Sequence, residues 1–262
     1  MTEIFDTHAH YDDADFDEDR EDLLARLPKE GIAKVVDVGA SLASCEKVVE
    51  LMERYDYIYG AIGIHPSETA ELEEDEGRFQ WVKEACKHEK CVAVGEIGLD
   101  YYWDEPDREI QKKWFLRQLD LAREIRLPVV IHSRDAAKDT VDLMTAAKAE
   151  EIGGVIHCYS YAKETAKIFL DMGFYFGIGG VLTFQNAKKL KEAVAYIPMD
   201  RIVLETDCPY LAPVPFRGKR NSSLYLPYVV AAMAQIKGIT EEEVREKAWT
   251  NAHRLYKMDN KN

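Results

Sequence analysis

The chain has 262 residues, 47% of them hydrophobic, and its 48 acidic and 34 basic residues give a formal net charge of −14. This length fits one large α/β domain or two small ones, and the apolar fraction is enough for an extensive core. The acidic balance disfavours passive coating of nucleic acid or anionic membrane, so a phosphate substrate would need local positive charge from bound metal or a basic loop.

The start of the chain and its cysteines bear on location and covalent framework. The first segment turns polar within five residues, so no signal peptide is visible, and no run reaches the roughly eighteen apolar residues of a membrane span. We therefore expect a cytoplasmic protein without membrane contact. The five cysteines include no C-x-x-C pair, which argues against a disulfide framework and a thiolate zinc cluster.

Eight short apolar, β-branched segments recur along the chain and predict buried strands. In order they are IFDTHAH, AKVVDVGA, YIYGAIGIHP, VAVGEIGLD, PVVIHSR, GGVIHCYS, FYFGIGG and RIVLETDCP. Helical stretches lie between them. The clearest, DREIQKKWFLRQLDLAREIRLP, repeats apolar residues at helical spacing and ends at Pro128. A last helical segment, 240–256, follows the eighth strand.

Buried strands that alternate with amphipathic helices indicate a parallel sheet, and eight such units predict a (β/α)8 TIM barrel. No Gly/Ser-rich linker or low-complexity segment interrupts the pattern, so we predict a single domain over residues 1–262. A doubly wound open sheet is the competing fold, but no G-x-G-x-x-G follows the first strand. A barrel of this size needs no partner to bury its core, so we expect a monomer without an obligate protein partner.

Polar residues cluster at the carboxyl ends of the predicted strands, where barrel enzymes place their sites. His8 and His10 are two residues apart, so they point to one face of a strand and can converge on one ion. Without a shared ion, two buried imidazoles would be costly to desolvate. The other candidates are His65, Glu96, Asp100, His132, Arg134, His157, Glu205 and Asp207.

Not every candidate is expected to bind metal. Glu96 and Asp207 are carboxylates inside parallel strands and need a partner, which a cation would supply. Asp6 and Glu205 share parity with the ligand candidates but lie deeper, so we expect them to orient the ligands by hydrogen bonds. His88 and His253 fall in predicted helical segments and are expected to be ordinary histidines. Cys158 and Cys208 directly follow ligand candidates and should point away from the site.

Seven motifs, THAH, GIHP, GEIGLDYY, HSRDA, HCYS, ETDCPYL and RGKRN, occur in this order between Thr7 and Asn221. Together they resemble the TatD family of metal-dependent deoxyribonucleases, in the amidohydrolase superfamily. The sequence departs from the family at Ser222-Ser223, where an acidic residue and a proline are usual, which leaves the conformation of that loop open.

The resemblance implies a two-metal site. It assigns His8, His10 and Asp207 to one ion, His132 and His157 to a second, and Glu96 as the bridge between them. It also implies that His65, Arg134 and the tyrosines after Asp100, of which Tyr101 is the first, lie around the substrate, and we expect Asp100 itself to contact the substrate.

The chemistry of the donor set agrees with that assignment. Nitrogen and carboxylate donors with a bridging carboxylate suit two divalent metal ions per chain, Mg, Mn or Zn, and two ions about 4 Å apart can share and acidify a water molecule. Asp207 would act as the general base and acid, with Glu96 as the catalytic bridging ligand.

The predicted substrate is DNA. The loop from Cys208 to Ser223 ends in Arg217, Lys219 and Arg220, which can grip phosphate or form a solvated basic turn. Aromatic side chains expected on loops at the mouth can stack on unpaired bases or cap a small hydrophobic substrate; they are Tyr11, Phe16, Tyr101, Tyr102, Trp103 and Phe184.

We therefore predict a metal-dependent phosphodiesterase that trims single-stranded 3′ ends of DNA. Two alternatives stay open. A two-metal barrel can also hydrolyse an amide, ester or lactone. The barrel can instead be a metal-stabilised scaffold without catalytic activity, although the donor set exceeds what structural ligation requires.

Overall fold

The computed structural model describes residues 3–103 and 105–258, and its eight parallel strands form one sheet in sequence order. The strands are β1 (Ile4–Ala9), β2 (Ile32–Val38), β3 (Ile58–Ile62), β4 (Cys91–Asp100), β5 (Val129–Arg134), β6 (Gly154–Ile156), β7 (Tyr175–Ile178) and β8 (Ile202–Leu204). The first and last strands meet at a parallel bridge between Ala9 and Cys208, where the His10 N–H donates to the Cys208 carbonyl oxygen at 2.8 Å. The sheet is therefore a nearly closed barrel, as predicted.

Helices connect the strands on the outside of the barrel. They are α1 (Arg20–Arg26), α2 (Leu42–Arg54), α3 (Ala70–Glu74), α4 (Glu76–Ala85), α5 (Arg108–Ile125), α6 (Ala137–Ala146), α7 (Lys163–Asp171), α8 (Lys188–Tyr196), α9 (Leu226–Lys237) and α10 (Glu241–Leu255). Helix α5 begins after Asp107, whose side chain accepts the Glu109 N–H, and ends at Arg126 in the left-handed region. Helix α10 begins with a capping box between Thr240 and Glu243. Both helices confirm the predicted segments.

The amino-terminal end of the barrel is filled with apolar side chains. Inward-facing residues of the strands, such as Phe5, Val130 and Val203, pack against the end of α10 and the residues that follow it. The Tyr256 hydroxyl donates to the carbonyl oxygen of Thr7 at 2.8 Å and fixes this plug to β1. This packing closes the amino-terminal end of the barrel, and burial of each large apolar side chain contributes about 1.5–3 kcal/mol to stability. Polar side chains are therefore gathered at the carboxyl ends of the strands.

Two local predictions need correction. His88 is not helical, because α4 ends at Ala85 and His88 lies in the bend before β4. Glu205 and Asp207 are not inside a strand, because β8 ends at Leu204 and both residues lie just beyond it. In the part of the chain that the structure describes, no helix is long and apolar enough to cross a membrane.

Candidate metal centre

The carboxyl ends of the strands open into a cavity of about 760 Å³. Of the residues predicted for the site, its lining contains His10, His65, Glu96, Asp100, His132, Arg134, His157 and Asp207. A cavity of this size is ordinary for a small-ligand or substrate site. The barrel therefore brings together side chains from six different strand ends, which the sequence separates by up to 197 positions.

Glu96 lies at the centre of the cluster, on β4, and is 3% exposed. Its Oε1 lies 2.7 Å from Nδ1 of His132 and 2.9 Å from Nε2 of His157. Its Oε2 lies 3.6 Å from Nε2 of His8 and 3.8 Å from Nε2 of His10. Each carboxylate oxygen thus faces one pair of imidazoles, which is the arrangement expected of a ligand shared between two positions.

His8 and His10 converge with Asp207 on one side of Glu96. The Nε2 atoms of the two histidines are 3.1 Å apart, and Oδ1 of Asp207 lies 3.6 Å from the first and 3.4 Å from the second. His10 donates its Nδ1–H to the Val38 carbonyl oxygen at 2.7 Å, which turns its Nε2 toward the cavity. The i, i+2 spacing correctly predicted this convergence.

His132 lies on the other side of Glu96, between two carboxylates. Its Nε2 is 2.9 Å from Oδ2 of Asp100, so Asp100 can hold the ring with Nδ1 facing Glu96. His65 lies beside it, with ring centroids 4.3 Å apart. Asp100 was predicted as a substrate contact; it lines the cavity, but its closest side-chain partner is His132. A glycine is required at position 98, because a Cβ there would lie 1.9 Å from the His132 carbonyl oxygen.

The charges of the cluster are strongly coupled. Burial lowers the pKa of His10, but the hydrogen bond to Asp207 and the charge of Glu96 outweigh it and raise the pKa to about 10. Burial likewise opposes protonation of His132 and His157, and the charge of Glu96 raises both pKa values. Without metal, His10 and His157 are therefore cations paired with carboxylates, and Glu96 favours the protonated form of His132 as well.

His8 and His65 are neutral members of the cluster. Burial and the charge of His157 lower the pKa of His8, and burial together with the charge of His132 lowers that of His65 to about 3. The paired charges and the neutral rings together offer nitrogen and carboxylate ligands around a shared space.

This donor set fits divalent cations. Three groups of side chains place their ligand atoms within 4.8 Å of one another; they are His8, Glu96 and His157; His8, His10 and Asp207; and His65, Asp100 and His132. Imidazole and carboxylate ligands suit Zn²⁺, Mn²⁺ and related ions. In addition, Nδ1 of His8 is buried without a hydrogen-bond partner in the described residues, and the polar contacts of this ring are made by its Nε2, inside the cluster.

Asp6 and Glu205 lie behind the cluster, where an orienting role would place them. Asp6 accepts the Thr206 N–H at 3.0 Å and the Thr206 hydroxyl at 2.6 Å, next to Asp207. Glu205 accepts the Cys158 N–H at 2.6 Å, and its Oε1 lies 3.5 Å from Nδ1 of His157.

The structure defines the conformation of the loop at Ser222 and Ser223. Ser222 caps a 3₁₀ turn, Ser223–Tyr225, by accepting the Leu224 N–H. The Ser223 hydroxyl donates to Oδ2 of Asp6 at 2.6 Å, and its N–H donates to the Tyr11 hydroxyl. The two serines therefore tie the end of the loop to the barrel directly behind the metal centre.

Some of the predicted substrate contacts line the cavity and others do not. Arg134 lines the cavity, and its guanidinium carbon lies 3.9 Å from the ring centroid of Tyr102. Trp103 also lines the cavity and is 65% exposed. Tyr101 does not line it, because its hydroxyl donates to Asp139 at 2.7 Å and its ring stacks with a neighbouring arginine.

The basic segment after β8 lies outside the cavity lining. Arg220 forms two hydrogen bonds of 2.7 and 2.6 Å to Asp19, and Arg217 stacks on Phe184. Lys219 is exposed on the same turn. Among the described residues, Arg134 is the one lysine or arginine that lines the cavity.

Several expectations about the mouth were wrong or incomplete. Tyr11 and Phe16 are 0% exposed and belong to the core. Cys158 lines the cavity instead of pointing away, because its φ of 44° breaks the strand alternation. Asp12 was missed: it lines the cavity and accepts the Ser44 hydroxyl at 2.6 Å. It continues the series at positions 6, 8 and 10, so the i, i+2 pattern contained that signal.

Comparison with known proteins gives consistent matches along the whole chain. The family model described as TatD related DNase matches residues 5–257. A Bacillus subtilis protein named as the uncharacterized metal-dependent hydrolase YabD is 43% identical and covers 98% of this chain and 100% of its own. A Mycobacterium tuberculosis protein named as the uncharacterized metal-dependent hydrolase TatD is 34% identical, with 97% of each chain covered. The crystal structure of YjjV, a TatD homolog from Escherichia coli K12, superposes with a TM-score of 0.89 at 30% identity, covering 97% and 98% of the two chains.

Proposed function

Because the chain belongs to the TatD family of metal-dependent hydrolases, we propose that it is a phosphodiesterase that hydrolyses DNA and removes nucleotides from single-stranded 3′ ends. The observation that carries the proposal is the position of Glu96 between two pairs of imidazoles, with Asp207 beside one pair. This arrangement fits a reaction in which a water molecule attacks the phosphorus atom of a phosphodiester, with imidazole and carboxylate groups on both sides of Glu96 around the reacting atoms.

The proposed cofactors are two divalent ions, Mg, Mn or Zn. His8, His10 and Asp207 would hold one, His132 and His157 would hold the other, and Glu96 would be shared. Ions bound there would supply Lewis acidity and lower the pKa of a water molecule. The chain's own contribution is to fix these nitrogen and oxygen atoms in place, through Val38 on His10 and Asp100 on His132.

Asp207 is the proposed proton carrier. Burial opposes its ionisation, but the hydrogen bond to His10 and the nearby imidazoles keep its pKa below the usual value, so it is a carboxylate at neutral pH. It can accept a proton from the attacking water and return it to the leaving oxygen. Arg134, exposed at the rim, is placed to pair with a phosphate of the neighbouring nucleotide.

One observation favours a different substrate. The cavity lining contains Asp12 and Asp13, and Arg134 is its one lysine or arginine among the described residues. An acidic wall suits an uncharged ester, amide or lactone better than a polyanion. Hydrolysis of such a small substrate is therefore the second candidate function.

The test compares substrates on one preparation loaded with Mn²⁺. We expect a 5′-labelled single strand to shorten from its 3′ end faster than the matching blunt duplex, with little turnover of p-nitrophenyl acetate or a lactone. Arg134→Ala should raise KM for DNA about tenfold and leave ester turnover unchanged. Arg201→Ala is the matched control, because Arg201 precedes β8 at the opposite end of the barrel. Turnover of the ester or lactone without DNA cleavage would support the second candidate and contradict the first.

A further inference from the structure

Two glutamines on α5 reach from the outer layer of the barrel to the strand ends that carry the metal centre. Gln111 and Gln118 are both 0% exposed. They are seven residues apart, so they share one face of the helix about two turns apart. In the sequence they read as ordinary polar positions of an amphipathic helix, and no metal or substrate role follows from their spacing.

Each glutamine forms the same pair of hydrogen bonds. Oε1 of Gln118 accepts the Ile64 N–H at 2.8 Å, and its Nε2 donates to the Ile64 carbonyl oxygen at 3.0 Å. Oε1 of Gln111 accepts the Asp100 N–H at 2.9 Å, and its Nε2 donates to the Asp100 carbonyl oxygen at 3.0 Å. One side-chain amide thus satisfies both backbone groups of one residue, as a neighbouring strand would.

The two clamped residues are adjacent to the functional side chains. Ile64 is fully buried beyond the end of β3 and directly precedes His65. Its backbone groups need partners, and Gln118 supplies both. Asp100 is the carboxylate whose Oδ2 contacts Nε2 of His132. The two glutamines therefore act next to neighbouring imidazoles, because the ring centroids of His65 and His132 are 4.3 Å apart.

Asp100 also links the clamp to the rim of the cavity. Its Oδ1 accepts the N–H groups of Tyr102 and Trp103 at 2.9 and 3.2 Å, while its Oδ2 faces His132. A second donor bond of Gln111, to the Pro106 carbonyl oxygen at 3.0 Å, holds the end of the same loop. A shift of Asp100 would therefore move a ligand candidate and the aromatic rim together.

We propose that Gln111 and Gln118 are positioning residues of the metal centre: they fix the imidazoles of His132 and His65 through Asp100 and the Ile64–His65 peptide. The inference rests on the proposed function only in treating His132 as a metal ligand. A merely structural role, in which the glutamines dock α5 against the barrel, would lower stability without changing either histidine.

The experiment uses Gln111→Met and Gln118→Met, which keep side-chain length and remove both hydrogen-bonding groups. The matched control is Asn251→Leu, because Asn251 is 2% exposed and its amide donates to the Met199 and Ile202 carbonyl oxygens at the opposite end of the barrel. The readouts are melting temperature, imidazole signals of ¹⁵N-histidine-labelled protein without metal, and a Mn²⁺ titration by calorimetry.

We expect Gln111→Met to shift the His132 signals and to weaken Mn²⁺ binding at one position about tenfold, in the range for ligand-orienting partners. Gln118→Met should shift the His65 signals. Asn251→Leu should lower the melting temperature but leave both histidines and Mn²⁺ binding as in the wild type. Unchanged histidine signals and Mn²⁺ affinity in both glutamine variants, with a stability loss like that of the control, would overturn the proposal.

If the methionine variants do not fold, Gln111→Asn and Gln118→Asn serve instead. They keep the amide but shorten the side chain by one methylene, so the amide can no longer reach both backbone groups, and the signals of the clamped histidine should shift as in the methionine variants. Unchanged signals would overturn the proposal. None of these measurements uses a substrate, so failure to cleave DNA would contradict the proposed function and leave this result standing.

Discussion

Loading metal into this centre should release protons. His10, with a pKa of about 10, and His157, with a pKa raised well above its usual value, carry protons at neutral pH in the metal-free protein, and the charge of Glu96 raises the pKa of His132 as well. A metal ion needs the unprotonated nitrogen, so binding must displace these protons. His8 contributes none, because burial and the charge of His157 lower its pKa.

The size of the effect follows from the pKa of His10. A pH of 7 lies about three units below the pKa of His10, so removing the proton from this imidazole costs about 4 kcal/mol at 1.36 kcal/mol per unit. Apparent metal affinity should therefore rise about tenfold per pH unit between pH 6 and 8 for each proton displaced. One proton from His10 and up to two more from His132 and His157 are expected.

Calorimetry in buffers of different ionisation enthalpy measures this release directly. Mn²⁺ added to metal-free protein at pH 6.5 should release one to three protons per chain, and His10→Gln should release one fewer. An affinity that stays flat from pH 6 to 8, with no released proton, would refute the charge assignment of the cluster.

The same shift predicts how stability depends on pH. A histidine whose pKa is raised from about 6.5 unfolded to about 10 folded stabilises the metal-free protein fully below pH 6.5. That contribution is lost as pH rises through 10. Metal-free protein should therefore lose melting temperature from pH 7 to 10 more steeply than metal-loaded protein, in which the proton is already displaced.

Three substitutions test the remaining parts of the site. Asp207→Asn should lower hydrolysis about 10²–10⁴-fold with an unchanged circular dichroism spectrum, and the bound metal count separates a lost base from a lost ligand. Gly177→Ala places a Cβ 1.9 Å from Oε2 of Glu205, so it should cost about 1–3 kcal/mol and weaken Mn²⁺ binding; wild-type affinity would contradict the role of Glu205. Ser223→Ala removes the hydroxyl that donates to buried Asp6 and should lower the melting temperature, measured by calorimetry, by about 3–10 °C. An unchanged melting temperature would show that this hydrogen bond does not stabilise the protein.

The barrel could be predicted from the sequence because its signals are local. Buried parallel strands are continuous apolar runs, and α5 is bounded by Asp107 before it and Pro128 after it. The carboxyl ends of such strands meet at one end of a barrel, so the polar residues there were expected to converge. The convergence of His8 and His10 could be predicted from the two-residue period of a strand alone.

What the sequence did not predict depends on backbone turns and distant partners. Cys158 faces the cavity because of its positive φ, which no strand pattern contains. Arg220 is held by Asp19, 201 positions away, so a basic segment that suggests phosphate binding is in part an ion pair. Gln111 shows its function only where its amide meets Asp100. In each case the deciding interaction is set by the folded loops, beyond the reach of periodicity.

The most direct test of metal-dependent DNA hydrolysis by this barrel removes and restores the metal. Metal-stripped protein is reloaded separately with Mg²⁺, Mn²⁺ and Zn²⁺ and incubated with a 5′-labelled single-stranded DNA, with His132→Ala as the control. We expect about two ions bound per chain and a ladder that shortens from the 3′ end, dependent on metal and lost in the variant. Two bound ions without cleavage of DNA under any of the three metals would contradict the proposed hydrolysis of DNA.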